Sequence, residues 1–185
     1  PSNPGEVALL RGDSEKRLTR FNDEWLAARH IAPIEEVWHT APDGRKIQGW
    51  LLKPIGFKRG QKYPLVVSMH GGPWVMWGPS MPNIWLEWQQ QAARGYAVYF
   101  CNPRGSDGYG EEFSLIIRND WGDHVMHDIL SGLDAVVAQE FLEQLRLTTG
   151  FVTDITHIAL QGRCASCSAP DSAVVCIISA ASVMP

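Results

Sequence analysis

Three stretches of this sequence carry residue types in spacings that could do chemistry. The first is His70-Gly71-Gly72-Pro73. Two glycines behind an apolar run let the backbone approach a ligand, and an N–H there could stabilise a developing alkoxide. The same letters are also ordinary turn chemistry. The second is the loop Asn102-Pro103-Arg104-Gly105-Ser106-Asp107-Gly108-Tyr109-Gly110. Its glycines follow the order GxxGxG rather than GxGxxG, and no acidic residue caps a following strand at the right distance, so a dinucleotide site is not supported. The third is Cys164-Ala165-Ser166-Cys167. As a CxxC pair it could be redox-active or hold a metal, but no second CxxC and no histidine in ligand spacing accompany it.

Other reactive side chains have plainer readings. His124 and His127, with Asp123 and Asp128, fall at helical spacing and are expected on the polar face of a surface helix rather than around a metal. Arg104 is expected to hold its loop by bonding carbonyls. Ser106 has no adjacent base in the pattern and is not assigned as a nucleophile, and the His70 ring is expected to bond neighbouring backbone. Trp74, Trp77 and Trp85 fit either a substrate pocket or aromatics packed under a lid.

The elements that must position these residues follow from hydrophobic pattern. Residues 7–21 are short and polar around Gly12-Asp13, in the manner of a β-hairpin, and lead through Asn22-Asp23-Glu24 into a short amphipathic stretch. From Ile34 the text changes: 36–40 and 47–52 form two β-type runs around a turn at Asp43-Gly44, predicting an antiparallel pair. Residues 64–69 are a continuous apolar run suited to a strand buried on both faces. A helix over 85–94 stops at Gly95, and 96–101 is another buried strand, so this strand, helix and strand imply a parallel sheet. A second crossover helix is expected over 121–141, with Val125, Ile129, Leu133, Val136 and Val137 near helical spacing. Further central strands are expected at 158–160 and 173–178.

Composition narrows the class. The chain has 185 residues, 45% hydrophobic and 19% charged, with a net charge of -4. That balance belongs to a soluble globular protein and offers no basic stripe for nucleic acid. No apolar run reaches the roughly 18 residues of a membrane span. No cofactor is called for, and oligomeric state is not assigned. Cys101, Cys164, Cys167 and Cys176 lack a disulfide-framework spacing, which favours a reducing compartment, so the cytoplasm is expected over a secreted or periplasmic setting. The chain does not begin with Met, and its natural N-terminus is expected upstream.

Taken together, HGGP, GYAV, NPRGSDGYGEEF, the Trp121-Gly122 pair and the following Asp128 resemble the catalytic domain of prolyl oligopeptidase-family serine peptidases, in particular the acylaminoacyl-peptidase and dipeptidyl-aminopeptidase branch. Upstream, EKRLTRFND resembles the last strands of the family's β-propeller, and APDGRKIQGWLLKP its opening catalytic hairpin; the resemblance covers residues 5–164. It implies an end of propeller and linker over 1–33 and a partial α/β-hydrolase domain over 34–185, the fold class being α/β. It also implies a peptide substrate.

In the family the strand before residue 164 runs into a nucleophile elbow of the form G-x-S-x-G-G. Here Cys164 stands at the serine position, and Ser166 and Cys167 stand at those of the glycines. The resemblance implies that Cys164 is the nucleophile and that the N–H groups of Gly72 and Ala165 form the oxyanion hole. A thiol nucleophile is chemically sound at a helix N-terminus, which lowers its pKa. Loss of the elbow, by decay or sequence error, is the competing reading. Side chains at 166 and 167 crowd a turn that needs none, Pro170 falls where the next helix belongs, and only eight residues separate Cys164 from Ala173. The family's triad Asp and His have no counterpart in this sequence. An esterase on the same fold, and a catalytically dead fragment with at most a binding role, are the alternatives to a peptidase.

Overall fold

The computed structural model describes residues 3–149, and the side chains of residues 3–138. The expected strands at 158–160 and 173–178 lie outside it.

The chain starts with a hairpin, β1 (Ala8–Arg11) and β2 (Ser14–Arg17), closed by Gly12-Asp13. All eight strand residues are exposed, and the hairpin pairs with no other described strand. A five-residue helix, α1 (Asp23–Ala27), follows.

A four-stranded sheet then assembles from β3 (Ile34–Thr40), β4 (Lys46–Leu52), β5 (Leu65–Ser68) and β6 (Ala97–Asn102), in the order β3-β4-β6-β5. β3 and β4 are antiparallel about the Asp43-Gly44 turn, and β5 and β6 are parallel, as the sequence predicts. The antiparallel pairing of β4 with β6, Gln48 opposite Asn102, joins the two halves. Between β5 and β6 runs α2 (Trp85–Ala93), ending before Gly95.

Strand alternation explains why both faces are apolar. Trp50, Leu52, Val98 and Phe100 face α2 with Trp77, Trp88 and Ala92, whereas Val37, Ile47, Tyr99 and Cys101 form the opposite core with Ile129 and Val136. Covering both faces is what gives β5 and β6 near-continuous hydrophobic sequences. The first core is centred on an aromatic stack: Trp88 lies 3.8 Å from Phe100 between ring centroids, and Phe100 lies 5.1 Å from Trp50. Trp77 and Trp85 are each 1% exposed, so they are core residues, while Trp74 is on the surface.

Beyond β6 a five-residue helix, α3 (Glu111–Leu115), stands where the sequence reading has only loop. The long helix α4 (Asp123–Thr149) runs past the expected residue 141, because 138–149 offer strong helix formers and neither Gly nor Pro. Val137 is exposed rather than part of the expected apolar stripe. Inside α4, Gly132 permits a close approach to the sheet. A Cβ there would fall 1.7 Å from the Tyr99 hydroxyl and 2.6 Å from His39 Cε1. Glycine costs about 1 kcal/mol of helix propensity relative to alanine, which the close packing of helix on sheet offsets. No described helix is long and apolar enough to cross a membrane.

Candidate active site

β5 and β6 run parallel, so the loops leaving their C-terminal ends emerge at one edge of the sheet, where open α/β sheets commonly bind ligands. The β3–β4 turn reaches the same edge, since Gln48 near the start of β4 pairs with Asn102 at the end of β6. Three loops therefore meet there: 69–77 after β5, 103–110 after β6, and 41–45.

Gly72 sits in the first loop with φ of +150°, and a Cβ added to it would meet Trp74 N at 3.1 Å. Its N–H donates to no described residue, and Gly71 and Gly72 are both exposed. An N–H donor so placed is available to an incoming oxyanion.

His70 stands at the root of this loop. Its Nδ1 lies 3.0 Å from the Gly71 carbonyl, as expected for a ring bonding neighbouring backbone. Its Nε2 lies 3.2 Å from Ser106 Oγ, a proximity absent from the sequence pattern. The pair is not a nucleophile and its base. Ser106 is 1% exposed and donates its hydroxyl to the Pro103 carbonyl at 2.6 Å, so its oxygen is left to accept from His70. Burial pushes the His70 pKa below its ordinary value, outweighing the raising by the bond to Gly71. The ring is therefore held neutral and can donate to only one of its two neighbours at a time.

Asn102 ends β6 with parity that turns it inward, and it is completely buried. Its Oδ1 accepts from Trp77 N at 2.9 Å, and its Nδ2 donates to Trp77 O and to the Tyr109 hydroxyl, each at 2.8 Å. Tyr109 in turn donates to Gln48 Oε1 on β4. The Asp107 N–H donates to Val75 O at 3.3 Å, and Trp74 Nε1 to Ser114 O at 3.2 Å.

Arg104 is structural, but it bonds carboxylates rather than the expected carbonyls. Nε and Nη2 grip Asp128 of α4 at 2.8 and 2.7 Å, the Arg104 N–H donates to the same carboxylate at 2.9 Å, and Nη1 reaches Asp43 of the β3–β4 turn at 2.9 Å. Hydrogen bonding to Asp128, more than offsetting burial, raises the Arg104 pKa above its already high value. Burial raises the Asp43 pKa, but bonds from Arg45 and Arg104 outweigh it and leave it lowered. Asp128 is thus no surface residue: it is 0% exposed, and its backbone carbonyl is also 2.8 Å from His39 Nε2. Burial lowers the His39 pKa and keeps that ring neutral. His124 pairs with Asp120 one turn away, on the solvent face expected for it. Among the described residues no three His, Cys, Asp or Glu side chains converge on a common point.

Of the sequence-predicted site residues, Gly72 lies in the loop after β5 at the sheet edge, whereas Cys164 and Ala165 lie outside the described residues. Sequence reasoning missed Asn102, Tyr109 and Gln48. A signal for Asn102 was available: a polar side chain at the inward parity of a buried strand must find hydrogen bonds.

Residues 84–150 match the family model described as prolyl oligopeptidase family. The chain is 36% identical over 141 residues to an uncharacterized peptidase of Bacillus subtilis, covering 76% of this chain and 21% of that protein. It is 40% identical over 123 residues to a dipeptidyl-peptidase 5 of Trichophyton equinum, covering 64% of this chain and 16% of the relative. Among solved structures it is similar to an acylaminoacyl peptidase of Pyrococcus horikoshii, with 32% identity and a TM-score of 0.60 over 79% of this chain and 22% of that one. The chain thus spans about a fifth of the length of these proteins.

Proposed function

From the premise that this chain belongs to the prolyl oligopeptidase family, we propose that it forms the oxyanion side of a serine-type peptidase acting on short peptides, of aminopeptidase or acylaminoacyl-peptidase type. The observation that carries this is the Gly72 N–H, exposed and donating to no described residue at the C-terminal edge of the parallel strands.

In the proposed reaction the side chain at position 164 gives its proton to the base that the family resemblance implies and attacks the substrate carbonyl carbon, while the carbonyl π electrons move onto oxygen; the same proton later goes to the leaving amine. The resulting oxyanion accepts hydrogen bonds from Gly72 and Ala165. Collapse of the intermediate expels the amine, which takes up a proton, and water then hydrolyses the acyl-enzyme. Each oxyanion donor is worth about 10²–10³ in kcat. Residues 1–33 as a propeller end and 34–185 as part of an α/β-hydrolase domain belong to the same proposal and rest on the family resemblance; a cytoplasmic setting belongs to it too and rests on the cysteine spacing.

This chain by itself is expected to turn over little, because the turn around Cys164 departs from the family's elbow at residues 164, 166 and 167. Comparing a peptidyl p-nitroanilide with a p-nitrophenyl ester, using the complete gene product carrying this sequence, tests the reading: cleavage of the amide supports a peptidase. Turnover of the ester alone favours an esterase. In the 185-residue chain, recovery of peptidase activity by Cys164→Ser alone would overturn the view that more than the nucleophile is altered.

A further inference from the structure

The loop that carries Gly72 has little to hold its own shape. Between His70 and Trp77 the only backbone bond made within it is Val75 N to Pro73 O at 2.7 Å, and Gly71-Gly72 supplies no side chain to pack. Yet an oxyanion donor is useful only if it is fixed before charge develops, so that no reorganisation is needed during the reaction. Something outside the loop must fix it.

We propose that Asn102 is a positioning residue for the Gly72 oxyanion loop, its side-chain amide serving as a template on which the loop's far end is set. The inference deepens the peptidase reading and rests on it for the role of Gly72. Three observations carry it. Asn102 pairs with both backbone groups of Trp77, accepting from N at 2.9 Å and donating to O at 2.8 Å, as a neighbouring strand would. It is 0% exposed, so neither Trp77 group has water to exchange for the amide. Its remaining N–H donates to Tyr109, which is anchored on Gln48 of β4, so the amide cannot flip without breaking bonds at both ends. The Trp77 ring, wedged between His70 at 5.3 Å and Trp88 at 5.3 Å, carries that placement back to the root of the loop. Asn102 touches no reacting atom, and its effect passes through Trp77 and the backbone of 70–77.

The test is a glycine-specific one. The full chain is labelled with 15N-glycine, and backbone order parameters are measured at Gly72, Gly49 and Gly132 in wild type, Asn102→Ala and Asn102→Leu. Gly49 and Gly132 both pack against Tyr99 and so report the opposite core. The expected result is a Gly72 order parameter falling from about 0.85 to below about 0.6, with Gly49 and Gly132 unchanged. An unaltered Gly72 in either folded variant overturns the proposal. So does a fall at all three glycines, or loss of the folded spectrum in both variants, since Asn102 would then be a core residue and nothing more. The peptidase reading stands or falls separately, on turnover. Should Gly72 loosen in Asn102→Ala while the complete gene product keeps its full kcat, the oxyanion role of Gly72 fails and the structural role of Asn102 survives.

Discussion

The sheet edge around Arg104 and the N-terminal segment around Glu6 solve one problem, tying loops to strands, in opposite ways. At the sheet edge a buried guanidinium grips Asp128 and Asp43, and a buried amide fastens Trp77. In the N-terminal segment the Glu6 carboxylate gathers the chain, accepting from the Thr19 hydroxyl, from Phe21 N at 3.1 Å and from Asn22 N at 3.0 Å. The first device combines a charge pair with a neutral group, and Arg104, Asp128 and Asn102 are all buried. The second depends on one exposed segment keeping one carboxylate ionised. Acid should therefore release the hairpin region, where one carboxylate holds several groups of the chain at once.

The sharpest way to break the comparison is at Asp128. Asp128→Ala leaves the Arg104 guanidinium, 5% exposed, with only Asp43 as a carboxylate partner. Removing one member of such a buried pair costs about 3–5 kcal/mol, which urea unfolding would detect as a lower midpoint. A similar loss of about 3–5 kcal/mol is expected for Trp88→Ala, through the cavity left against Phe100.

Overpacking comes next. Gly132→Ala puts a Cβ 1.7 Å from the Tyr99 hydroxyl and should cost about 1–3 kcal/mol. Tyr99→Phe deletes that oxygen, so the double variant should recover part of the loss. Equal destabilisation with and without Tyr99→Phe would remove the packing explanation.

A smaller effect sharpens the other half of the comparison. The Thr19 hydroxyl, against opposing burial and with help from Asn22 and Phe21, lowers the Glu6 pKa from 4.5 to about 2. A folded pKa below the unfolded one means stability present above about pH 4.5 and lost as pH falls through about 2. Carboxyl-carbon NMR should show Glu6 titrating near 2. Amide exchange in residues 6–22 should rise over that range while β6 stays protected, and Glu6→Gln should remove the pH dependence. The smallest expected effect is at Cys101, whose thiol burial pushes up to about 12. A thiol reagent at pH 8 should leave it unmodified in the folded chain and modify it on unfolding.

Most elements were legible because hydrophobic period and turn residues agreed. The Asp43-Gly44 hairpin, the parallel pair β5 and β6, and the helix stopping before Gly95 all appear where the pattern puts them. The order β3-β4-β6-β5 was not legible, since nothing local specifies which strand lies between β4 and β5. At the site, the Gly71-Gly72 turn after β5 could be read from its motif, but the side-chain pairs that tie the surrounding loops together could not. Asn102 and Trp77 are separated by 25 residues, and Arg104 and Asp128 by 24, so each pair exists only once the sheet and helices are assembled. Asp128 shows the limit well: helical spacing grouped it with His124, whereas the turn of α4 that meets β3 and β6 buries it.

Whether Gly72 donates to the oxyanion is decided by kcat for a peptidyl p-nitroanilide, measured in the complete gene product carrying this sequence and in its Gly72→Ala variant. At φ of +150°, with Trp74 N 3.1 Å from the new Cβ, alanine must displace the N–H. A loss of about 10²–10³ in kcat with KM little changed is expected, and an undiminished kcat in Gly72→Ala would show that Gly72 is no oxyanion donor.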